Sequence, residues 1–478
     1  MQGWRRTFDE SDQDRFARAS GDFNPLHMDE RVAAITQAGA RVVHGVHALL
    51  WALDMLAGGP LSGRPIREVR VRFNRFIYLK TPLSLQIHDQ TEDAVIASAA
   101  AGDAAAMALT IYQGSPSDAR SNLSSDVPDT WLGPEPSDPD EEQMDGASGW
   151  LSPPNGSDML PASFPALSSL IAPQRVISIA LMSSLVGMVC PGRNSIFSSL
   201  AIELQDRDKG RPGFSWQARR PDPRYNRVDL VAEGSGLRQT ARALIRPTPV
   251  AAPSIAEATA KVCANEFADR RALIIGGSRG LGAATATLLS VGGAKVTLTY
   301  HSQVEAASTL AAEIQDQCGA DAVEVIQHDV RCMDNRALDR ALQTCTHIYY
   351  FPTPKITRQH TAIFDSNAFR DFCSVYVDGF SALCTRAVEC SSRTRLGVLY
   401  PSSTAVSERP RGMTEYAMAK AAGEVLCAEL MRGHPQLSIV APRFPRVLTD
   451  QTALAIPVRS ISAIDAMLPC LRSENATR

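Results

Sequence analysis

Apolar positions in the first 250 residues follow two periods, and the same succession of periods occurs twice. "HGVHALLWALDMLAGG", residues 44–59, is apolar on every side, as a helix enclosed by a core is, and it ends at Gly-Gly. After a Gly/Pro break come "REVRVRFNRF" and "LSLQIHDQ", which alternate as strands with one buried face do. "RVISIALMSSLVGMVC", residues 175–190, is a second apolar helix, followed by Pro-Gly and the alternating "SIFSSLAIELQ". This succession predicts an internal repeat, each copy a sheet wrapped around one long buried helix.

From residue 268 the pattern changes to strand–helix alternation. The short apolar runs "RALIIGG", "AKVTLTYHS", "AVEVIQHDV", "THIYYFPT", "RLGVLYPSS" and "LSIVAPR" read as strands. Between them lie helical stretches such as "LGAATATLLSVGG", "QVEAASTLAAEIQDQCGA" and a helix that starts near Thr414. The alternation predicts a doubly wound parallel sheet with its ligand at the carboxyl ends of the strands.

Two seams divide these blocks. Residues 115–160 are dense in Ser, Pro, Gly and acidic residues and show neither period, which predicts an acidic Pro/Ser-rich linker on the surface. A second linker is expected over 251–267. The expected domains are therefore residues 1–114 and 161–250, one for each repeat, and residues 268–478.

Composition narrows the class. Of 478 residues 44% are hydrophobic and 21% charged, and the formal net charge is -3. That balance gives no electrostatic reason to expect nucleic acid or an anionic membrane surface as partner. The opening "MQGWRRTFDESDQDRF" lacks the apolar core of a signal peptide. No apolar run reaches the roughly 18 residues of a membrane span. The ten cysteines begin at Cys190, form no C-x-x-C pair and sit mostly in apolar patterns. They read as buried free thiols of a cytoplasmic protein.

Candidate chemistry concentrates in two places. In "SGDFNPLHMDE", residues 20–30, Asp22 and His27 flank a rigid Asn-Pro turn. A carboxylate and an imidazole so held can share one water, or act together on two groups of a substrate. The plainer reading is an Asx-turn, with Asp22 capping the next helix, "DERVAAITQ". Taken with His44-Gly45 at the start of the first apolar helix, the stretch resembles the MaoC-like (R)-specific enoyl-thioester hydratases and dehydratases. The resemblance implies a hot-dog fold with Asp22 and His27 as the catalytic pair and Asn24 fixing their loop. It also implies that the second repeat, which has no Asp-x-x-x-x-His, is a non-catalytic partner in a double hot-dog with one active site. Backbone N–H groups near Gly45 and Val46, at the helix start, would bind the thioester oxygen. His44 and His47 read as hydrogen-bonded structural residues, with no carboxylate or third histidine beside them to complete a metal site.

The second place is "GGSRGLG", after the first strand of the carboxy-terminal block. Gly276, Gly280 and Gly282 let the backbone approach a pyrophosphate at a helix N-terminus. Downstream, Ser403 ends a strand, and Tyr416 and Lys420 share a helix face one turn apart. The set resembles the short-chain dehydrogenase/reductase family over roughly residues 268–478. That resemblance implies a dinucleotide held by Gly276, Ser278, Arg279, Gly280, Leu281, Gly282, Asp329 and Val330, together with Tyr416 and Lys420. Tyr416 would exchange the proton, Lys420 would favour its phenolate, and Ser403 would hydrogen-bond the substrate oxygen. The second strand ends in Thr299, Tyr300, His301 and Ser302, where an NAD enzyme carries an acidic residue. Arg279 suits a 2′-phosphate, so NADP(H) is expected rather than NAD(H). Two positions depart from the family: "YYFPTP" stands where Asn-Asn-Ala-Gly is common, and Tyr376 where a catalytic Asn is common. Residues 449–478 are short for a substrate lid.

The predicted fold is an α+β double hot-dog followed by an α/β Rossmann-like doubly wound parallel sheet. The implied function is bifunctional: NADPH-dependent reduction of a 3-oxoacyl thioester to its (R)-3-hydroxyacyl form, and dehydration or hydration across C2–C3. The substrate would be an acyl-CoA or acyl-carrier-protein thioester, without a metal, nucleic acid or membrane, and a homodimer is the default by analogy. Two alternatives stay open. The dehydrogenase domain either acts on another ketone or hydroxyl, for example of a sugar, or only binds NADP.

Overall fold

The computed structural model describes residues 3–34, 36–102, 104–116, 123, 127–206, 213–246, 252–354, 356, 364–410, 412–449, 452 and 460–476. The described residues form two compact units, those of 3–246 and those of 252–476.

In the first unit ten strands make one antiparallel sheet. They are β1 (Trp4–Thr7), β2 (Ile66–Phe73), β3 (Pro82–Gln90), β4 (Ala94–Ala101), β5 (Ala104–Gln113), β6 (Ser148–Leu151), β7 (Ser195–Leu204), β8 (Phe214–Ala218), β9 (Arg227–Gly234) and β10 (Leu237–Ile245). Their order is β1-β3-β4-β5-β2-β7-β10-β9-β8-β6. Outward from the β2·β7 pair the halves correspond: β5, β4, β3 and β1 on one side, β10, β9, β8 and β6 on the other. Across that seam Val69 faces Ile202 and Val71 faces Leu200, all four buried, so one core serves both halves.

Each half carries a central helix, Gly45–Ala57 and Pro173–Ser184, the latter continued by a wider turn over Leu185–Val189. The first has no solvated face: Val46, Ala48, Leu49, Leu50 and Ala52 are all 0% exposed. Its buried Asp54 accepts the Leu167 backbone N–H at 2.9 Å, which ties it to the second half.

The linker expected over 115–160 is corrected by the structure. Among its described residues, Glu141–Met144 is a helical turn capped by Asp140, and Ser148–Leu151 is β6, an edge strand paired with β8. Strand β6 takes the place in the second half that β1 takes in the first. Leu151 is fully buried and Met144 nearly so. A four-residue edge strand turns only alternate residues inward, too few to show as a period among Ser, Pro and acids.

The second unit holds a six-stranded parallel sheet in the order β13-β12-β11-β14-β15-β17. Its strands are β11 (Arg271–Ile275), β12 (Lys295–Tyr300), β13 (Val323–Gln327), β14 (His347–Tyr350), β15 (Leu396–Leu399) and β17 (Leu437–Val440). The chain reverses direction of growth between β11 and β14, and ligands of such sheets bind at that switch point. A separate two-stranded pair joins β16 (Ser402–Ser403) to β18 (Arg443–Phe444). The second expected linker, 251–267, is also corrected. Its helix Ile255–Thr259 and the buried Ala258, Val262 and Phe267 belong to the core around helix Gly280–Val291. Helix Ala463–Ala476 joins the same core through Met467 and Leu471, both 0% exposed. Residues 450, 451, 453–459, 477 and 478 of the stretch judged short for a lid lie outside the described residues. All ten cysteines are free, but only Cys190, Cys345, Cys384 and Cys427 are buried; Cys263 and Cys332 are exposed and the other four half-buried, which corrects the expectation of buried thiols. Among the described residues no single helix is long and apolar enough to cross a membrane.

If β6 is part of the first core, Leu151→Ala lowers the unfolding free energy by about 2–4 kcal/mol in chemical denaturation. A change under about 0.5 kcal/mol would return the segment to the status of a linker.

Candidate functional site

Helix Glu10–Ser20 ends at Gly21, whose φ of 83° lets the chain turn sharply into the Asp22 loop. Asp22 is 1% exposed. Its Oδ2 accepts the Ser183 hydroxyl at 2.6 Å and its Oδ1 accepts the Asn24 backbone N–H at 3.1 Å. The second bond is an Asx-turn, yet Asp22 caps no helix. Asn24 caps Pro25–Met28 by accepting from Leu26, and Asp29 accepts from Arg31 and Val32 at the next helix start. The Asn24 amide donates to the Gly187 carbonyl at 2.7 Å and the Gly192 carbonyl at 3.2 Å, which pins the loop to the second half.

Ser183 and Gly187 carry no motif and escape the sequence reading. At Gly187 the Asp22 carboxylate stands where a side chain would be: a Cβ would lie 2.5 Å from Oδ1. The second half therefore supplies a hydroxyl and a vacancy, one helical turn apart.

His27 has Nδ1 2.8 Å from the Val42 carbonyl, which can only accept. Nδ1 thus carries the proton of the neutral ring, and Nε2 keeps its lone pair. His44 stacks on this ring, centroids 4.0 Å apart, and its Nε2 donates to the Asp22 carbonyl at 3.0 Å. The expectation that no carboxylate or third histidine approaches His44 is corrected. Asp22, His27 and His44 each bring a side-chain atom within 4.8 Å of the others, and sequence distance conceals the approach. Gln13 braces the cluster from the first helix, donating to the carbonyls of His27 and Val42 at 3.1 and 2.9 Å. His47 stacks on Phe16 at 4.6 Å, and its buried Nδ1 has no hydrogen-bond partner among the described residues.

Burial pushes the Asp22 carboxyl up, while His27 and the bonds from Ser183 and Asn24 oppose it. Burial pushes the His27 imidazole down, with Asp22 opposing. The two proton affinities are thereby drawn toward each other. His44 is the N-cap of helix Gly45–Ala57, whose first amides are those of Gly45 and Val46, and its ring stacks on that of His27. Those N–H groups lack intrahelical partners. At Gly45 a Cβ would lie 3.1 Å from the Phe73 ring.

In the second unit a cavity of about 740 Å³ opens at the carboxyl ends of the strands. Every expected cofactor residue lines it: Gly276, Ser278, Arg279, Gly280, Leu281, Gly282, Asp329, Val330, Tyr416 and Lys420, with Ser403 beside them. A Cβ at Gly282 would lie 2.2 Å from the Gly276 carbonyl oxygen, so helix Gly280–Val291 starts hard against the first strand. Arg279 Nη1 and both ring nitrogens of His328 are buried without a hydrogen-bond partner among the described residues, and both side chains line the cavity. The unpartnered Arg279 donor beside a helix N-terminus fits an anionic dinucleotide. Thr299 is committed elsewhere: its hydroxyl and carbonyl accept the N–H groups of Gly276 and Gly277 at 3.1 and 2.8 Å.

Strand β16 sets Ser403 on the wall of the cavity that Tyr416 also lines. Burial pushes the Tyr416 phenol up, and the Ser403 hydroxyl offsets part of the shift. Lys420, one turn on, is 5% exposed and donates to the Pro401 carbonyl at 2.6 Å. Burial pushes its ammonium down to about 7.

Residues 2–95 match the family described as MaoC like domain, and residues 270–442 match the short chain dehydrogenase family. No curated protein matches the chain significantly. Among solved structures, a short-chain dehydrogenase/reductase from Serratia marcescens BCRC 10948 is 20% identical, covering 42% of this chain and 88% of its own at a TM-score of 0.36. A short chain dehydrogenase from Burkholderia cenocepacia J2315, in complex with NADP, is 23% identical and covers 43% of this chain and 90% of its own at a TM-score of 0.37. One from Sphingobium yanoikuyae, in complex with NADPH, is 16% identical, with 43% and 85% covered at a TM-score of 0.37. The chain carries a MaoC-like domain, of a hydratase family, at its amino-terminal end and a short-chain dehydrogenase domain, of an oxidoreductase family, at its carboxy-terminal end.

Proposed function

We propose that the protein is a bifunctional acyl-thioester enzyme. One site reduces a 3-oxoacyl thioester with NADPH to the (R)-3-hydroxyacyl form, and the other removes or adds water across C2–C3. The thioester is that of CoA or of an acyl carrier protein. The observation that carries the reading is the Asp22–His27 pair, a buried carboxylate and a half-buried imidazole with side-chain atoms within 4.8 Å of each other, in the same chain as a Ser403–Tyr416–Lys420 cavity.

In the first unit, read as a double hot-dog with one active site, dehydration needs one group to take the 2-proton and another to protonate the departing 3-hydroxyl. Asp22, raised by burial, and His27, lowered by it, share one proton between them and can pass it in either direction. The amides of Gly45 and Val46 stabilise the oxyanion that develops on the thioester.

In the second unit Gly276, Ser278, Gly280, Leu281 and Gly282 would cradle the pyrophosphate, with Asp329 and Val330 at the adenine. Arg279, with its unpaired Nη1, would meet a 2′-phosphate. Bound NADPH supplies the hydride. Tyr416 gives the proton to the substrate oxygen, Ser403 orients that oxygen, and the Lys420 ammonium favours the phenolate left behind.

Mass spectrometry of a short 3-oxoacyl-CoA incubated with the protein and NADPH tests both sites together. Gain of two hydrogens followed by loss of water is expected. Hydration of crotonyl-CoA without reduction would leave the second unit to another ketone or hydroxyl.

Asp22→Asn is expected to lower crotonyl-CoA hydration by about 10²- to 10⁴-fold while reduction continues. Ser183→Ala removes only a bond to the carboxylate, worth about 1.5–3 kcal/mol, and so costs about 10- to 100-fold. Tyr416→Phe should abolish reduction and spare hydration. Arg279→Ser should weaken NADPH binding about tenfold or more and leave NADH binding little changed, as read by cofactor fluorescence.

A further inference from the structure

Tyr376 lies in the wide helical turn Ser374–Gly379 and is 1% exposed. The face of its ring is 3.8 Å from the Lys420 ammonium, with the Tyr400 ring at 4.9 Å and the Tyr416 ring at 6.0 Å. An ammonium has three N–H donors, and Lys420 gives one to the Pro401 carbonyl. A buried cation so placed is held by ring quadrupoles as well as by hydrogen bonds. The ring itself is fixed on several sides. Its hydroxyl bonds the Thr353 hydroxyl, Phe372 stacks on it at 5.8 Å, and Tyr416 meets it edge-on at 5.9 Å. The titratable groups facing Lys420 are the three tyrosines and Cys427. Glu424, one turn further along the helix, is engaged by Arg443 at 2.6 Å and by Ser402.

We propose that Tyr376 is a positioning residue that keeps the Lys420 ammonium charged and in place through the face of its ring. The proposal rests on the reading of Ser403, Tyr416 and Lys420 as a reductase site. Reduction takes a proton from Tyr416 and leaves a phenolate that the Lys420 charge stabilises. Turnover therefore falls as pH rises through the Lys420 titration. A ring that favours the charged form holds that alkaline limb at higher pH, and weakening the ring moves it lower.

The test follows the Lys420 ammonium by ¹⁵N NMR in the full-length, lysine-labelled protein, beside the pH profile of NADPH-dependent 3-oxoacyl-CoA reduction. Tyr376→Phe keeps the ring face and should leave the titration and the limb where they are. Tyr376→Leu should move both down by about one pH unit or more. Fluorinated phenylalanines at the same position keep the shape while draining the ring face, so they answer the question even where the leucine variant fails to fold. Each added fluorine should shift the titration further down. A titration that does not move along the fluorine series overturns the proposal. A titration that moves in a protein that reduces no 3-oxoacyl-CoA upholds the role of Tyr376 and overturns the reductase reading instead.

Discussion

A carboxylate at 1% exposure persists only when its oxygens are bonded, because a buried unpaired charge costs several kcal/mol. Asp22 finds one of those bonds in the half of its unit that lacks the motif. Ser183 supplies the hydroxyl, Gly187 supplies the space, and the carbonyls of Gly187 and Gly192 fasten Asn24. The β2·β7 seam and the Asp54–Leu167 bond then become conditions of the site, since they hold the two halves in register. The second half, which lacks the Asp-x-x-x-x-His stretch, supplies the surface against which Asp22 and Asn24 are held.

The second unit meets a different constraint with the same means. Its parallel sheet gathers the Gly-rich turn, Asp329 and the Ser403–Tyr416 pair at one edge because all its strands end there. Close packing of Gly282 on Gly276 leaves no room for a side chain, and the orphaned groups of Arg279 and His328 face the cavity. Polar groups left without partners in an otherwise packed wall suit a ligand that brings acceptors.

Most of the fold was legible because its elements are long and periodic. Helix Gly45–Ala57, helix Thr414–Gly433 and the six parallel strands stand where apolar periodicity places them. Strand β6 and the segment 255–267 were not legible, since each enters a core through two or three apolar residues in polar company. The candidate site divides in the same way. Asp22, His27, Tyr416 and Lys420 announce themselves by fixed local spacing. Ser183, Gly187 and Gln13 act at distances of 161 and 165 positions, or from the facing helix, and no local pattern encodes such approaches. The glycine was the readable clue: an interruption in a run as apolar as "SSLVGMVC" marks a close approach by some other group.

Burial links the two proposed chemistries. It raises acids that are neutral when protonated and lowers bases that are charged when protonated, so it moves carboxyl and imidazole toward each other. At Asp22 and His27 this suits the reversible proton exchange proposed for the pair. At Tyr416 and Lys420 it works against the reaction, because it raises the phenol and weakens the ammonium that would stabilise a phenolate. The second site therefore needs something the first does not, a source of attraction for a cation that does not itself titrate near neutral pH. A carboxylate beside Lys420 would hold the ammonium but also cancel its field at Tyr416. An aromatic face attracts the cation without cancelling its charge, and Tyr376, 3.8 Å away, is such a face.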